Sequence, residues 1–335
     1  MTTQAGETRQ GPLLKQEHLA PLPIPTGQPA KDLLNLIWRK NDVYLDVGSF
    51  AMAAGWIVLS VGNFLGGIIS LSVLSQYQLL GLWSLIMVIP GTAFMAFMWW
   101  LYSRAWRLPL RPPLRFNRQR REVCVTRPDG SFWFVPWERV HAIAPSATQL
   151  GPYGAGTSGA LILWFPFEGQ EHEPYHPDKE GWVMMTSPGS GNSAMAQWEC
   201  IRSFMEIGPQ AVPEPTVVPN AGMTVWQSYV HDYRKAAAER EPISAFLWEG
   251  VVGLVIFNTL LLEYLLRKKL AHLPDLTAPE AMEWSKSLPP EQWAKPSAEL
   301  QRQSQEVEVL RQRNPQRSII DIFTEVRRVT VIKPA

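Results

Sequence analysis

Charged side chains are missing from a long part of this sequence. No Asp, Glu, Lys, Arg or His occurs from Val47 to Ser103, a stretch of 57 residues. A soluble core of that length is almost always interrupted by charged surface positions, so an ordinary soluble domain is excluded here. One helix needs about 20 apolar residues to cross a hydrocarbon core of roughly 30 Å. The stretch 47–103 therefore predicts a transmembrane helical hairpin, with helices at about 48–70 and 79–102.

Cysteine is scarce as well. The chain has 335 residues and only two cysteines, Cys124 and Cys200, which lie far apart without CxxC spacing. This excludes a disulfide framework and a cysteine-rich metal site, and it predicts reduced thiols in a cytosolic domain. The formal net charge of +1 also argues against a protein that binds polyanions over its whole surface.

An apolar segment is absent near Met1. The first residues are polar and rich in proline, so we expect no cleavable signal peptide. We expect residues 1–46 to form a flexible cytosolic tail and a pre-membrane segment.

Acidic residues are absent from 103–121, where arginine is abundant. Positive residues near membrane helices stay on the cytoplasmic side. Since Arg39 and Lys40 precede the hairpin, we expect both its ends in the cytosol and its turn outside. Attraction to anionic lipid is a second role, worth about 1 kcal/mol for each arginine. Nucleic-acid binding is not expected, because no nucleic-acid-binding motif accompanies the run. The seven arginines are Arg104, Arg107, Arg111, Arg115, Arg118, Arg120 and Arg121.

Glycines recur at regular spacing in the first half of the hairpin. Gly48, Gly55 and Gly62 are seven residues apart, and Gly66 follows four residues later. This spacing places small residues on one stripe of a helix, where a second helix can approach closely. We expect the stripe to pack against the second helix, the alternative being that these glycines face lipid.

Strand patterns follow in residues 104–209, which we expect to form a β-rich cytosolic domain. Two apolar runs flank the turn at Asp129–Gly130 and predict a β-hairpin. Residues 160–167 and 181–187 predict two more strands. Residues 192–208 predict an amphipathic helix with an apolar stripe, formed by Met195, Trp198, Ile201 and Met205. The fold class is thus that of an α+β membrane protein, similar to pleckstrin-homology-like domains.

The rest of the chain predicts three further regions. Residues 210–242 are a proline-rich linker followed by a helix. Residues 243–266 are apolar, but their uninterrupted part, Gly250 to Leu262, is only 13 residues long and Lys and Arg occur on both sides. This segment is therefore an interfacial helix, a buried helix or a third span. Residues 267–335 are polar, with a helix at 298–313 and a possible edge strand at 327–333.

Two motifs resemble catalytic or phosphate-binding signatures. Residues 172–176, HEPYH, match the HExxH zinc-protease pattern, but Pro174 opposes the helix that this chemistry requires. The glycine-rich stretch 151–159 lacks the Lys-Ser/Thr of a phosphate loop. We assign no catalytic, cofactor-binding or metal-binding residue and expect a protein that is not an enzyme.

Two stretches, LRFNRQRREVCVTRPDGSFWFVPWERVHA (114–142) and WECIRSFMEIGP (198–209), carry a family resemblance. The chain resembles membrane-anchored proteins of Gram-negative bacteria that share a domain of unknown function and are linked to type VI secretion. The resemblance implies an immunity protein of the inner membrane that occludes a cognate toxin stoichiometrically, for example a nuclease acting in the cytoplasm.

Tight capture of a toxin needs aromatic hot spots on a preformed surface. The candidates, each of which is alternatively a core residue, are Trp133, Trp137, Tyr153, Trp164 and Tyr175. A membrane-tethered adaptor or secretion-system component, whose β-domain binds lipid or protein, is the alternative function. A transporter or sensor is a further alternative, suggested by the acids Glu249 and Glu263 at the ends of the apolar segment.

Overall fold

The chain forms two compact units, each assembled from separate parts of the sequence. The first, here called the head, comprises Met1–Ser49, Arg111–Val217 and Pro274–Ala335. The second, here called the helical unit, comprises Phe50–Leu110 and Val218–Leu273. The computed structural model describes residues 7–11, 14–19, 25–48, 50, 52–127, 129–151, 154–170, 180–189 and 191–332.

Ten strands in the described part of the head form two five-stranded antiparallel sheets. Sheet 1 has the order β1-β2-β8-β9-β10, with strands Thr8–Gln10, Leu14–His18, His141–Gly151, Gly154–Phe165 and Trp182–Gly189. Sheet 2 has the order β3-β4-β5-β6-β7, with strands Ile37–Lys40, Tyr44–Val47, Leu114–Asn117, Glu122–Thr126 and Phe132–Pro136.

The β-hairpin that the sequence predicts around residue 129 is confirmed as β6 and β7. Glu122 pairs with Pro136 at one end and Thr126 with Phe132 at the other. The Asp129 carboxylate accepts hydrogen bonds from the backbone and the hydroxyl of Ser131, which closes the turn.

Residues 1–46 differ from the flexible tail that we expected, since β1 to β4 lie within the described residues 7–47. These strands are short, and β1–β2 and β3–β4 form two small antiparallel hairpins whose other partners are far away in sequence. β2 pairs with β8, and β4 pairs with β5 beyond the entire apolar hairpin. Each hairpin is too short and too polar to show an alternating apolar pattern, and the pairs that join them to the sheets are non-local.

One helix completes the core of the head. The predicted amphipathic helix is α4, Gly191–Glu206, and its apolar stripe packs into a cluster that includes residues of both sheets. Trp198 and Phe204 are fully buried there together with Phe116 of β5 and Phe165 of β9. Burying each such side chain contributes roughly 1.5–3 kcal/mol.

The C-terminal part of the head is helical. α8, α9 and α10 span Pro279–Trp284, Ala298–Arg313 and Ile319–Ile332. The helix at 298–313 is confirmed, whereas the edge strand expected at 327–333 is wrong. In α10 the buried residues Ile319, Ile322, Phe323 and Val326 follow helical spacing and pack with Val307 of α9, and this spacing overrides the local β-propensity.

Two long apolar helices dominate the helical unit. α1 spans Met52–Ser75 and α3 spans Leu82–Arg107, with the short α2, Tyr77–Leu80, between them. Gly55–Ser75 and Leu82–Arg107 are long and apolar enough to cross a membrane. The helical hairpin of the sequence analysis thus corresponds to α1 and α3, with a turn that begins several residues later than expected.

The second part of the helical unit is broken in the middle. α5 spans Val225–Glu239, and α6, Pro242–Ala245, continues as a π-helical segment, Phe246–Ile256. At Asn258 the backbone is left-handed, with φ of 49°, and α7 follows at Thr259–Leu270. The axis bends by 67° at this break. The predicted single apolar helix at 243–266 is therefore two short arms.

Candidate functional site

Strand β10 is the edge of sheet 1 that presents apolar side chains. Val183 and Met185 are 49% and 67% exposed, and they alternate with the buried Met184 and Thr186. Among the residues that the structure describes, β10 pairs only with β9. An edge strand has unpaired N–H and C=O groups, which can accept an additional strand from another chain.

A cavity of about 250 Å³ adjoins this edge. β10 lines it with Trp182 to Met185, and Leu114 of β5 and Thr126 of β6 belong to the same lining. Arg111 also lines the cavity and adds a positive charge to its wall. The combination of an open edge and an adjacent cavity is suited to an extended peptide that presents alternate side chains.

The aromatic residues that the sequence suggested as partner contacts are mostly in the core. Trp133, Trp137 and Trp164 are buried, with exposed fractions of 3%, 0% and 5%. Trp137 stacks on Trp198 of α4 at 5.5 Å between ring centroids. The structure therefore places these three side chains in core packing, where a partner has no direct access to them.

Other candidates lie outside the described residues. They are Tyr153, Tyr175 and the HEPYH stretch 172–176.

Four of the seven arginines form hydrogen bonds or ion pairs with other residues of the head. Arg121 donates to both oxygens of Glu206 at 3.0 and 2.8 Å. Arg118 donates to the Ile207 carbonyl and Arg120 to the Trp284 carbonyl. Arg115 is buried in an ion pair with Asp46.

The other three arginines, Arg104, Arg107 and Arg111, are exposed near the end of α3. The topological and lipid-binding roles expected for the run stay predictions. These three side chains carry the exposed positive charge that both roles require.

Asp46 and Arg115 form the centre of a buried polar cluster. Arg115 Nε and Nη2 donate to the two Asp46 oxygens at 2.6 and 2.7 Å. Arg115 also donates to Asp275 at 2.6 Å and to the Ser285 hydroxyl at 2.9 Å. The Tyr44 ring lies 3.8 Å from the guanidinium carbon. One arginine thus joins β4, β5 and the chain segment that enters α8, which makes it a structural group of the head.

Two buried histidines lie side by side in sheet 1. His18 Nδ1 of β2 is 3.0 Å from His141 Nε2 of β8, so one ring donates and the other accepts. Burial lowers the pKa of His18 to about 4 and that of His141 to about 3. Both rings are therefore neutral at pH 7. Within the described ranges, no group of three or more His, Cys, Asp or Glu is arranged to hold a metal ion.

Both cysteines are buried in the head. Burial raises the pKa of Cys124 to about 12 and also raises the pKa of Cys200. Since the thiolate is the reactive form, both side chains are unreactive at neutral pH.

The glycine stripe divides into three groups. A Cβ on Gly55 would lie 3.1 Å from the Tyr102 ring, and one on Gly62 would lie 3.1 Å from Met95, so both glycines face α3. A Cβ on Gly66 would meet nothing within 4 Å. Gly48 precedes α1, and its Cβ would lie 2.3 Å from the Trp38 ring in the head. The helix-packing role expected for Gly48 is therefore not the one that the structure gives it.

No family model, curated protein or solved structure matches the chain in the comparisons with known proteins. The structure itself defines an α+β protein with two sheets and two apolar helices that can span a membrane. The β10 edge is the surface of the head that sequence reasoning missed. Its signal is the alternation in residues 182–187, which marks a strand but does not reveal that its outer side is unpaired.

Proposed function

We propose that this protein is an inner-membrane immunity protein, which binds a cognate toxin of a type VI secretion system and occludes it stoichiometrically. A toxin is proposed as the partner because residues 114–142 and 198–209 resemble the family linked to type VI secretion. The observation that carries the binding role is the open β10 edge, with exposed Val183 and Met185 beside a cavity. A toxin segment that adds to β10 as a sixth strand is held by backbone hydrogen bonds and by side chains in the cavity.

The membrane arrangement supports the same role. In this proposal α1 and α3 span the inner membrane, and the exposed Arg104, Arg107 and Arg111 keep the end of α3 in the cytoplasm. The head then faces the cytosol, where it meets a toxin that acts there, such as a nuclease. Two sheets closed by the helix α4 also support a pleckstrin-homology-like relationship for the head.

The binding surface is tested with the full-length protein in detergent and the purified product of the neighbouring gene. We expect a complex in the nanomolar range. The double variant Val183→Asp with Met185→Asp should weaken it at least about 100-fold, because charge replaces apolar contact at the edge. Val309→Asp, at a similarly exposed position on α9, is the matched control and should bind normally. Absence of a wild-type complex at micromolar concentration contradicts the proposal.

The cellular role is tested by deletion of the gene. Cells without this protein should die or grow slowly only when the neighbouring toxin is active. A growth defect that persists with an inactivated toxin contradicts an immunity role.

A membrane-tethered adaptor is the second candidate. It is favoured by the exposed Arg104, Arg107 and Arg111, which attract anionic lipid, and it would use the same β10 edge for another assembly subunit. An adaptor predicts binding to a secretion-system component and no dependence of survival on a toxin.

A further inference from the structure

Both parts of the helical unit leave the head and return to it. The first part begins after β4 and ends before β5, and Val47 of β4 is paired directly with Leu114 of β5. A folded head lies on one side of a bilayer, so the chain between these paired strands crosses an even number of times. The two spans α1 and α3 satisfy this condition.

The second part, Val218–Leu273, is subject to the same condition. Immediately before it, Val212 is buried in the head core, and Lys40 donates to the Pro209 and Val212 carbonyls. Immediately after it, Leu276 packs with Cys124 in a second buried cluster of the head. Both flanks belong to one folded unit, so this part cannot cross the membrane once.

The two arms are too short for two crossings. Pro242–Ile256 has 15 residues and Thr259–Leu270 has 12. At about 1.5 Å per residue each arm is roughly 18–22 Å long, against a hydrocarbon thickness of roughly 30 Å. A bend of 67° between them allows two arms that lie at shallow angles to the membrane plane to enter and leave on the same side.

The end of α7 is attached at two places in the helical unit. Arg267 donates to the carbonyls of Asn220, at 3.2 Å, and Met223, where this part of the chain begins. Lys269 Nζ donates to the carbonyls of Trp106, at 2.8 Å, and Leu108, at 2.5 Å. These carbonyls form the C-terminal end of α3, from which the chain continues into the head. α7 therefore ends at the same level as α3.

The bend itself lies close to the same end of the hairpin. Trp56 Nε1 donates to the Phe257 carbonyl at 2.6 Å. Trp56 is only four residues after the start of α1, which is about 6 Å along the helix. The Trp56 ring contacts the rings of Trp99 and Tyr102, and aromatic clusters of this kind are typical of membrane interfaces.

From these contacts we propose that residues 242–270 form a re-entrant elbow. The elbow enters the leaflet on the side of the head, turns at Asn258 and leaves on the same side, with the lipid of that leaflet as its partner. Its lipid-facing residues are the exposed Ile243, Phe246, Leu247, Trp248, Val251 and Val255. Lys268 is exposed at the end of the second arm, where it faces anionic headgroups.

Each arm of the elbow contains one acid, and both acids lie close to a basic partner. Glu263 accepts from Arg267 at 2.6 Å, and Glu249 lies 3.8 Å from Arg240. Paired acids near the headgroups cost far less than an acid at the bilayer centre. The C-terminal segment 274–335 then lies on the same side of the membrane as the rest of the head.

Cysteine labelling of the full-length protein in oriented membrane vesicles tests the elbow. The two native cysteines are buried, so a membrane-impermeant maleimide reports the introduced positions. The reference variants are Asp129→Cys in the head and Gln76→Cys in the hairpin turn, both at exposed positions. Lys268→Cys should react from the same side as Asp129→Cys and from the side opposite to Gln76→Cys. Reaction together with Gln76→Cys overturns the proposal, because it means a third crossing.

A second position tests the lipid contact. Val255→Cys should react at least about 10-fold more slowly than Lys268→Cys, and a spin label there should be relaxed by oxygen rather than by a polar nickel complex. Fast labelling from the head side means that the arm lies in water. Slow labelling without relaxation by oxygen means that protein covers it. Either of these results contradicts insertion into the leaflet.

Discussion

Arg115 of β5 lies directly opposite Asp46 of β4 and donates two hydrogen bonds to its carboxylate, although 69 positions separate the two residues in the chain. All of α1, α2 and α3 lies between them in the sequence. The ion pair therefore closes the head across the point where the apolar hairpin leaves it. Asp275 and Ser285 bind the same guanidinium, which brings the C-terminal segment to the same place.

Removal of this guanidinium should destabilise the head strongly. Arg115→Ala leaves the Asp46 carboxylate buried without its main partner, which costs about 3–5 kcal/mol. Arg115→Lys keeps the charge but loses the two-point geometry, so an intermediate loss is expected. Chemical unfolding of the full-length protein in detergent measures both variants. Lys286→Ala, which removes an exposed pair with Glu283, is the control and should change nothing measurable. A loss below about 1 kcal/mol for Arg115→Ala would contradict the structural role of this cluster.

Acid should weaken the head through the histidine pair. The unfolded chain protonates both histidines below about pH 6.5, whereas the folded pKa values are about 4 for His18 and about 3 for His141. The unfolded state therefore binds more protons in this window. The neutral pair therefore contributes fully to the free energy of unfolding above pH 6.5, and this contribution is lost as the pH falls towards 3–4.

The measurement compares the pH dependence of two proteins. Between pH 6.5 and 4, the free energy of unfolding should fall by at least about 2 kcal/mol more in the wild type than in a His18→Gln, His141→Gln double variant. The reason is that one pKa unit corresponds to about 1.4 kcal/mol. The difference between the two curves removes the contribution of all other titrating groups, which both proteins share. If the free energy of unfolding depended on pH in the same way in both proteins, protonation of the pair would not be coupled to folding.

Bulk at Gly55 of α1 should disrupt the hairpin, and bulk at Gly66, further along the same stripe, should not. Gly55→Leu forces a side chain into the Tyr102 ring and should cost about 1–3 kcal/mol. Gly66→Leu points into open space and is the matched control. Unfolding by titration with sodium dodecyl sulfate compares the two variants. Equal losses would mean that Gly55 does not face α3.

One indole nitrogen attaches the bend of the elbow to α1. Trp56→Phe keeps an aromatic ring but removes the hydrogen bond to the Phe257 carbonyl, worth about 1 kcal/mol. Since that energy corresponds to roughly a five-fold change in population, maleimide labelling at Val255→Cys should accelerate about five-fold. Trp83→Phe, at an exposed position on α3, should leave the rate unchanged. Equal rates in both backgrounds would contradict the anchoring role of Trp56.

Local patterns in the sequence predict a large part of this fold. The charge-free stretch 47–103 is sufficient to predict α1 and α3, because length and composition alone decide whether a helix suits a bilayer. The turn at Asp129–Gly130 predicts β6 and β7, and the stripe that includes Trp198 predicts α4. Each of these signals is contained in a short window of residues.

Non-local pairing explains what the sequence does not reveal. Arg115 resembles the other arginines of its run, and nothing near it indicates that its partner Asp46 precedes the apolar hairpin. β3 and β4 have only four residues each and carry charges, so they resemble a polar tail. Composition also cannot separate a surface tryptophan from a buried one, and Trp137 is fully buried. The open edge of β10 depends on strand order, which is a property of the whole sheet.

A head that is a single folded body, assembled from three chain segments, underlies all of these predictions. Its most direct test is a protein in which short glycine-serine turns replace both 49–111 and 218–273. We expect a soluble protein with a cooperative unfolding transition, whereas residues 104–209 alone should stay unfolded because β1 to β4 are missing. The opposite result, in which 104–209 folds cooperatively and the three-segment protein aggregates, would contradict the account.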